Sequence, residues 1–213
     1  MTGAQALADW NWLGPLLDFG GCLTFAKGAS RERVLRAFDL DPATAVDWTL
    51  RQALREHGLP GLHVPPFWVR VAELGGWTMA AEVSQAKGYL DQIELDLARE
   101  HDVVTMFFFE TTPPVLKLTG PGGALVTTTL GEGHDTREGT DPHHLDPALD
   151  AAGVLDFAAP LPYGKAFSRA AAAVAAQLGI ALDAEAFTGP LPTASRNHPY
   201  TFAPGPHDRA GKP

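Results

Sequence analysis

The chain has 213 residues, enough for one large domain, and its 45% hydrophobic and 19% charged residues are typical of a globular protein. A formal net charge of −9 at pH 7 argues against binding nucleic acid or an anionic membrane through a general positive field. No apolar run reaches the roughly eighteen residues of a membrane span, and the N-terminal residues include no basic leader. We therefore expect a cytoplasmic protein, and its Ala-, Gly- and Pro-rich composition indicates a GC-rich bacterial genome.

The first part of the chain alternates helical and strand-like patterns. Residues 4–13 are predicted to form a short helix, and residues 19–27 a strand. Ser30 is a suitable N-cap for the helix that follows. A proline in the first turn then favours a longer helix over residues 42–57.

A single cysteine, Cys22, excludes an intrachain disulfide and a metal site built from several cysteines. It lies in the alternating strand at residues 19–27, where a free cysteine packs as a small hydrophobe. We therefore expect a buried, inert thiol, since no base for a nucleophilic role can be assigned.

The clearest structural pattern is a β-hairpin in which two apolar runs, residues 67–74 and 77–83, flank Gly75-Gly76. Glycine adopts the positive φ angles of a two-residue turn without steric cost. The turn fixes the register, so Leu74 is predicted to lie opposite Trp77. An antiparallel sheet is therefore the expected scaffold.

Residues 101–110 are apolar on both faces of any strand drawn through them, which is typical of a central strand covered on both sides. A helix precedes this run at residues 89–100, and two more strands are predicted at 115–119 and 124–130. Together these patterns predict an α+β fold, with a mainly antiparallel sheet of about six strands and helices packed on it.

The C-terminal part begins with a polar loop, residues 131–144, and contains an alanine-rich helix at 165–178. From residue 190 onward the chain is proline-rich with little periodicity. We therefore predict one α+β domain over residues 1–189 and an extended or disordered tail over 190–213.

Four segments, CLTFAKGASRERVLRAF, WVRVAELGGWTMAAE, TREGTDPHHLDPAL and AAAAVAAQLGIALDAEAF, occur in this order. Their order resembles a bacterial domain family of unknown function from GC-rich genomes. Its features are a cysteine-containing strand, a Gly-Gly-Trp hairpin and an Arg-x-Gly-x-Asp-Pro loop. The resemblance covers roughly residues 10–187 and implies no reaction, cofactor or catalytic residue.

The polar loop contains Arg137, Asp141 and His143, which are candidate binding residues. Imidazoles and carboxylates of this kind bind divalent transition metals. However, His143 and His144 are adjacent and do not easily point at one ion, and no H-x-x-x-H pattern is present. The favoured interpretation is turn chemistry with no metal or cofactor, in which Asp141 caps a helix.

Arg70 lies on the more apolar face of the hairpin. Its guanidinium is expected either to reach water or a carboxylate at the sheet margin, or to bind an anion at the mouth of a pocket. Glu73 and Glu82 share the opposite face, where a general acid/base pair is conceivable but ordinary exposure is favoured.

Trp48, Arg51 and Arg55 are predicted to share the outer face of the helix over residues 42–57. Tryptophan and arginine are enriched at binding hot spots, so these residues are a candidate partner surface. The alternative is that Trp48 is covered by the N-terminal segment with Trp10 and Trp12.

No nucleophile elbow, phosphate-binding loop, dinucleotide fingerprint or H-E-x-x-H motif occurs in the sequence. The leading hypothesis is therefore a non-enzymatic domain, regulatory or immunity-type, that binds a protein partner. The alternative is a small-ligand binder or metal-dependent enzyme that uses the 131–144 loop and Arg70. A structural role as an accessory subunit and the oligomeric state stay open.

Overall fold

A computed structural model describes residues 10–17, 20–58, 66–131, 136–156, 159 and 161–196. Within them, nine strands form one open antiparallel sheet, in the order β2-β9-β3-β4-β1-β5-β6-β7-β8. The strands are β1 (Gly20–Lys27), β2 (Val46–Trp48), β3 (Phe67–Leu74), β4 (Trp77–Val83), β5 (Val103–Phe109), β6 (Thr112–Gly120), β7 (Gly123–Thr129), β8 (Thr136–Glu138) and β9 (Leu191–Arg196).

Seven α-helices in the described residues cover the two faces of the sheet. They are α1 (Leu13–Leu17), α2 (Arg31–Ala37), α3 (Leu50–His57), α4 (Asp91–Ala98), α5 (Asp146–Ala151), α6 (Tyr163–Leu178) and α7 (Ala184–Thr188). The main core joins the sheet to α1, α3, α5, α6 and α7, and we call this side the α6 face. A smaller core joins the other side, the α2 face, to α2 and α4. The predicted α+β class is confirmed.

The hairpin has the predicted register, with Leu74 opposite Trp77 and Arg70 opposite Ala81. Both turn glycines have positive φ, 60° at Gly75 and 93° at Gly76, as the two-residue turn requires. The local sequence is sufficient for this element because the turn alone fixes the pairing.

Two further predictions concern buried residues and are confirmed. β5 lies between β1 and β6, and its residues are buried on both faces except for the half-buried Phe109. Cys22 is a free and fully buried cysteine. Burial and the nearby Glu82 raise the pKa of its thiol well above the usual value, which supports the expectation of an inert thiol.

The sheet has nine strands rather than about six because three short strands were predicted as other structures. β2 lies in the predicted 42–57 helix, β8 in the predicted loop and β9 in the predicted tail. The helix is interrupted by a capping box at Thr49 and Gln52, which starts α3 at Leu50. Only a 3₁₀ turn, Pro42–Thr44, forms at the predicted helix start.

The domain extends beyond the boundary predicted at residue 189. β9 lies inside the sheet, between β2 and β3, so the chain up to Arg196 belongs to the domain. The rest of the predicted tail, residues 197–213, is outside the described residues. In the described parts of the chain, no helix is long and apolar enough to cross a membrane.

Candidate functional site

A cleft of about 710 Å³ opens where β9 separates from β3. One wall is the end of β3, residues 71–74, and the opposite wall is the segment 189–192. The remaining lining residues come from α2, β2 and α7 and the residue before it: Arg31, Asp47, Asp183, Glu185 and Ala186. We call this the edge cleft.

The edge cleft exists because β9 pairs with only the first half of β3. The pairing runs from Phe67 opposite Arg196 to Arg70 opposite Thr193, where it stops. The next residue of β9 toward the cleft is Pro192, and Pro190 follows two positions further. Proline has no N–H to donate, so the hydrogen-bond ladder ends there.

The backbone of β3 therefore has an open edge in the cleft. In a two-residue hairpin the closing pair, here Leu74 and Trp77, is hydrogen-bonded. Successive residues of β3 then direct their backbone N–H and C=O groups alternately toward β4 and toward the opposite side. Ala72 thus bonds to β4, whereas Val71 and Glu73 direct their backbone groups to the other side. No strand in the described part of the chain pairs with Glu73 on that side.

Arg70 fixes the walls of the edge cleft from inside the protein. Its Nη1 donates to the carbonyl oxygen of Phe187, and its Nη2 donates to the carbonyl oxygens of Gly189 and, at 3.0 Å, of Trp48. The first two carbonyls end α7 and have no partner within the helix, so a cation there acts as a cap. Arg70 thereby ties α7, β2 and β3 together.

Arg70 is fully buried, and burial lowers the pKa of its guanidinium to about 10, so it stays charged at neutral pH. The expectation that the guanidinium reaches water or a carboxylate is wrong: the side chain is buried, and it donates to the three backbone carbonyls. The predicted anion-binding role stays a prediction without a cavity to support it. The three carbonyls had no signal in the sequence, because two of them lie more than 100 residues away.

The edge cleft is acidic on both faces of the sheet. Glu73 lies on the α2 face, two positions after the core residue Val71, and Asp47 lies on the same face because it is opposite Pro192. Asp183 and Glu185 lie on the α6 face with α7. Arg31 is the one lining cation, and its Nε is 3.4 Å from Oε1 of Glu73.

The predicted surface of Trp48, Arg51 and Arg55 is divided by the fold. Trp48 is in β2, half-buried against the core of the α6 face, with its ring 5.1 Å from the ring of His57. Arg51 and Arg55 are exposed on α3. Trp10 and Trp12, the predicted cover for Trp48, have their rings 6.0 Å apart, and Trp12 packs on Phe187 in the same core.

The polar loop residues pair with one another. Arg137 Nε donates to Oδ1 of Asp146 over 2.7 Å, and His143 Nδ1 lies 2.8 Å from Oδ2 of the same carboxylate. His144 pairs with Asp141 at 3.2 Å. Asp141 precedes a turn, and α5 begins five residues later, at Asp146.

Among the described residues, no group of three or more His, Cys, Asp or Glu side chains is arranged to hold a metal ion. Residues 132–135 of the loop are outside the described residues. The loop adjoins β8, six strand positions away from β3 in the sheet. At about 4.8 Å per strand the separation is roughly 29 Å, so Arg70 and this loop do not form one site.

Glu82 and Glu73, considered as an acid/base pair, are in different environments. Glu73 is exposed in the edge cleft, whereas Glu82 is fully buried and accepts the backbone N–H groups of Lys87 (2.8 Å) and Gly88 (2.7 Å). Burial raises the pKa of Glu82 to about 7. The carboxyl is excluded from water, and its position supports a structural role for it in holding the 3₁₀ turn Lys87–Tyr89 against the sheet.

Glu82 is expected to make stability depend on pH. Its pKa is 4.5 unperturbed and about 7 in the folded protein, so the folded state holds the proton more tightly. Its contribution is present below pH 4.5 and is lost as the pH rises to 7. Urea unfolding should show a fall in the free energy of unfolding between pH 5 and pH 7 that is smaller in Glu82→Gln. An identical pH dependence in both proteins would contradict this assignment.

Comparisons of the chain with protein-family models, with curated proteins and with solved structures give no match. The resemblance to a bacterial domain family therefore stays a prediction.

Proposed function

We propose that this protein is a non-enzymatic domain, regulatory or immunity-type, that binds an extended segment of a partner protein in the edge cleft. The segment adds to β3 as an extra strand beside Glu73. The observation that carries the proposal is the backbone of Glu73, which faces the edge cleft on the side where no strand in the described part of the chain pairs with it. Strand addition to an exposed sheet edge is a recurring mode of peptide recognition.

The geometry of the walls supports binding at this edge. An unpaired strand is a liability in a monomer, and proteins commonly shorten, charge or cover such edges. Here the edge stays open between walls fixed by Arg70, so a bound segment meets a preformed site and loses less conformational entropy. Trp48 lies in β2, the edge strand that carries Asp47, and Arg51 and Arg55 lie on the helix α3 that follows it, so these residues extend the proposed partner surface.

Two substitutions at one position separate the backbone from the side chain. Glu73→Pro removes the N–H that faces the edge cleft, whereas Glu73→Gln removes the charge and keeps the N–H. Peptides of twelve random residues, selected on the wild-type protein by phage display, are expected to bind Glu73→Pro at least about 10-fold more weakly than Glu73→Gln. Fluorescence anisotropy of the synthetic peptides measures both affinities.

Stability provides the control for these variants. The N–H of Glu73 takes no part in the β3–β4 ladder, so Glu73→Pro should keep a melting temperature close to that of Glu73→Gln. A second test changes the peptide instead of the protein. Alternate peptide bonds of a selected peptide are N-methylated, at the odd residues in one series and at the even residues in the other, and only one of the two series should lose binding. Selected peptides that bind Glu73→Pro and Glu73→Gln equally, or that still bind after N-methylation at either the odd or the even residues, would overturn strand addition.

A further inference from the structure

Resting on the proposed strand addition, we propose that the segment bound in the edge cleft is basic, with lysine or arginine side chains on both of its faces. The partner is thus recognised by backbone hydrogen bonds to Glu73 combined with cations at successive positions. This deepens the proposed function by assigning the chemical class of the partner.

The positions of the carboxylates determine this choice. Successive side chains of a strand point to opposite faces of the sheet. A partner residue opposite Glu73 directs its side chain to the α2 face, where Glu73 and Asp47 lie. Its two neighbours direct theirs to the α6 face, toward Asp183 and Glu185. Cations at successive positions therefore each face a carboxylate.

The charge balance excludes an acidic segment as the preferred ligand. Four carboxylates and one guanidinium line the cleft, and the whole chain has a net charge of −9. Glu73 and Asp183 have partners within the protein, but both keep capacity for a cation. Glu73 is 62% exposed beside Arg31, and Asp183 uses one oxygen to accept the N–H of Ala186. A basic segment is attracted at long range and paired at short range, whereas an acidic one is repelled.

The test uses four synthetic nine-residue peptides with blocked ends. Three repeat the unit threonine-X-X, where X is lysine, glutamine or glutamate, so that adjacent X residues point to opposite faces of a strand. The fourth is the lysine peptide with proline in place of threonine, which has the same charge but does not form a strand. Affinities are measured by isothermal titration calorimetry at 50 mM and 300 mM salt. The protein variants are Glu73→Gln, Glu185→Gln, Glu73→Pro and, as a control, Glu138→Gln at the opposite edge of the sheet.

The lysine peptide is expected to bind at least about 10-fold more tightly than the glutamine peptide at 50 mM salt, and the glutamate and proline peptides to bind least. Glu73→Gln and Glu185→Gln should each weaken the lysine peptide about 3-fold, while Glu138→Gln leaves its affinity unchanged. Higher salt should reduce the preference for lysine.

Two outcomes overturn the inference in different ways. Equal affinities of the lysine and glutamine peptides, both lower for Glu73→Pro than for Glu73→Gln, would refute a basic partner and leave strand addition intact. Equal binding of the lysine and proline peptides would mean attraction to the net charge alone. That result contradicts a basic partner bound as a strand. If the lysine peptide also binds Glu73→Pro and Glu73→Gln with equal affinity, the proposed function is contradicted as well.

Discussion

Replacing Arg70 with methionine is expected to lower the free energy of unfolding by about 3 to 5 kcal/mol, because three buried carbonyl oxygens lose their donor at once. A buried acceptor without a partner costs about 1–3 kcal/mol, and removal of the buried charge offsets part of the total. Methionine fills similar volume, so the loss reports hydrogen bonding rather than a cavity. Urea unfolding of the two proteins measures the difference.

The structure also predicts where the Arg70→Met protein loosens. The three carbonyls belong to β2 and to the end of α7, so amide hydrogen exchange should accelerate there before it does in β5. Arg70→Lys retains the charge but not the planar set of donors, and it should recover only part of the stability. A stability within 1 kcal/mol of the wild type would show that Arg70 does not hold the cleft walls.

Replacing Gly88 with alanine is expected to destabilise the fold by about 3 kcal/mol through overpacking. A Cβ atom at this position would lie 2.2 Å from Oγ1 of Thr24, 3.0 Å from Oε2 of Glu82 and 3.1 Å from Sγ of Cys22. The turn has little freedom to retreat, because Glu82 holds the Gly88 N–H at 2.7 Å. Thermal and urea unfolding both measure the effect.

Gly122→Ala is the matched control, since a Cβ atom there meets no atom within 4 Å and the residue has no positive φ. The double substitution Gly88→Ala with Thr24→Ala removes the closest contact. It should be more stable than the sum of the two single effects predicts. Simple additivity, or a Gly88→Ala protein as stable as Gly122→Ala, would rule out the steric explanation.

The elements predicted correctly are those whose determinants lie close together in the sequence. Gly75-Gly76 fixes the β3–β4 register within a few residues, and Ser30 caps α2 by accepting the N–H of Arg33. The apolar run from Val103 to Phe109 is long enough to predict a central strand on its own. Each of these elements follows from turn chemistry, capping or periodicity, without knowledge of its tertiary neighbours.

The three strands that were not predicted depend on distant pairing. β2 and β8 have three residues each, too few for periodicity, and β2 forms because Val46 lies opposite Thr193. β9 contains Pro192, which normally argues against an internal strand. Pro192 is tolerated because it lies where the ladder with β3 ends, so the same residue hides β9 in the sequence and opens the edge cleft in the fold.

Little of the candidate site could therefore be predicted. Arg70 was correctly singled out as an unusual residue, but its partners Phe187 and Gly189 lie 117 and 119 residues away. The edge cleft itself has no motif, because its walls come from segments that are separate in the sequence. The pair of prolines at 190 and 192, beside a strand that needs a neighbour, is the one local signal that could have indicated it.

The most direct measurement of the central claim is the hydrogen exchange of two adjacent amides, followed by NMR with and without a peptide selected on the wild-type protein. In the free protein the amide of Ala72, bonded to β4, should exchange slowly, and the amide of Glu73 should exchange fast. Bound peptide should slow the exchange of Glu73 at least about 10-fold. A Glu73 amide that is already protected in the free protein, or that exchanges equally fast with saturating peptide, would contradict the open edge of β3 as a binding site.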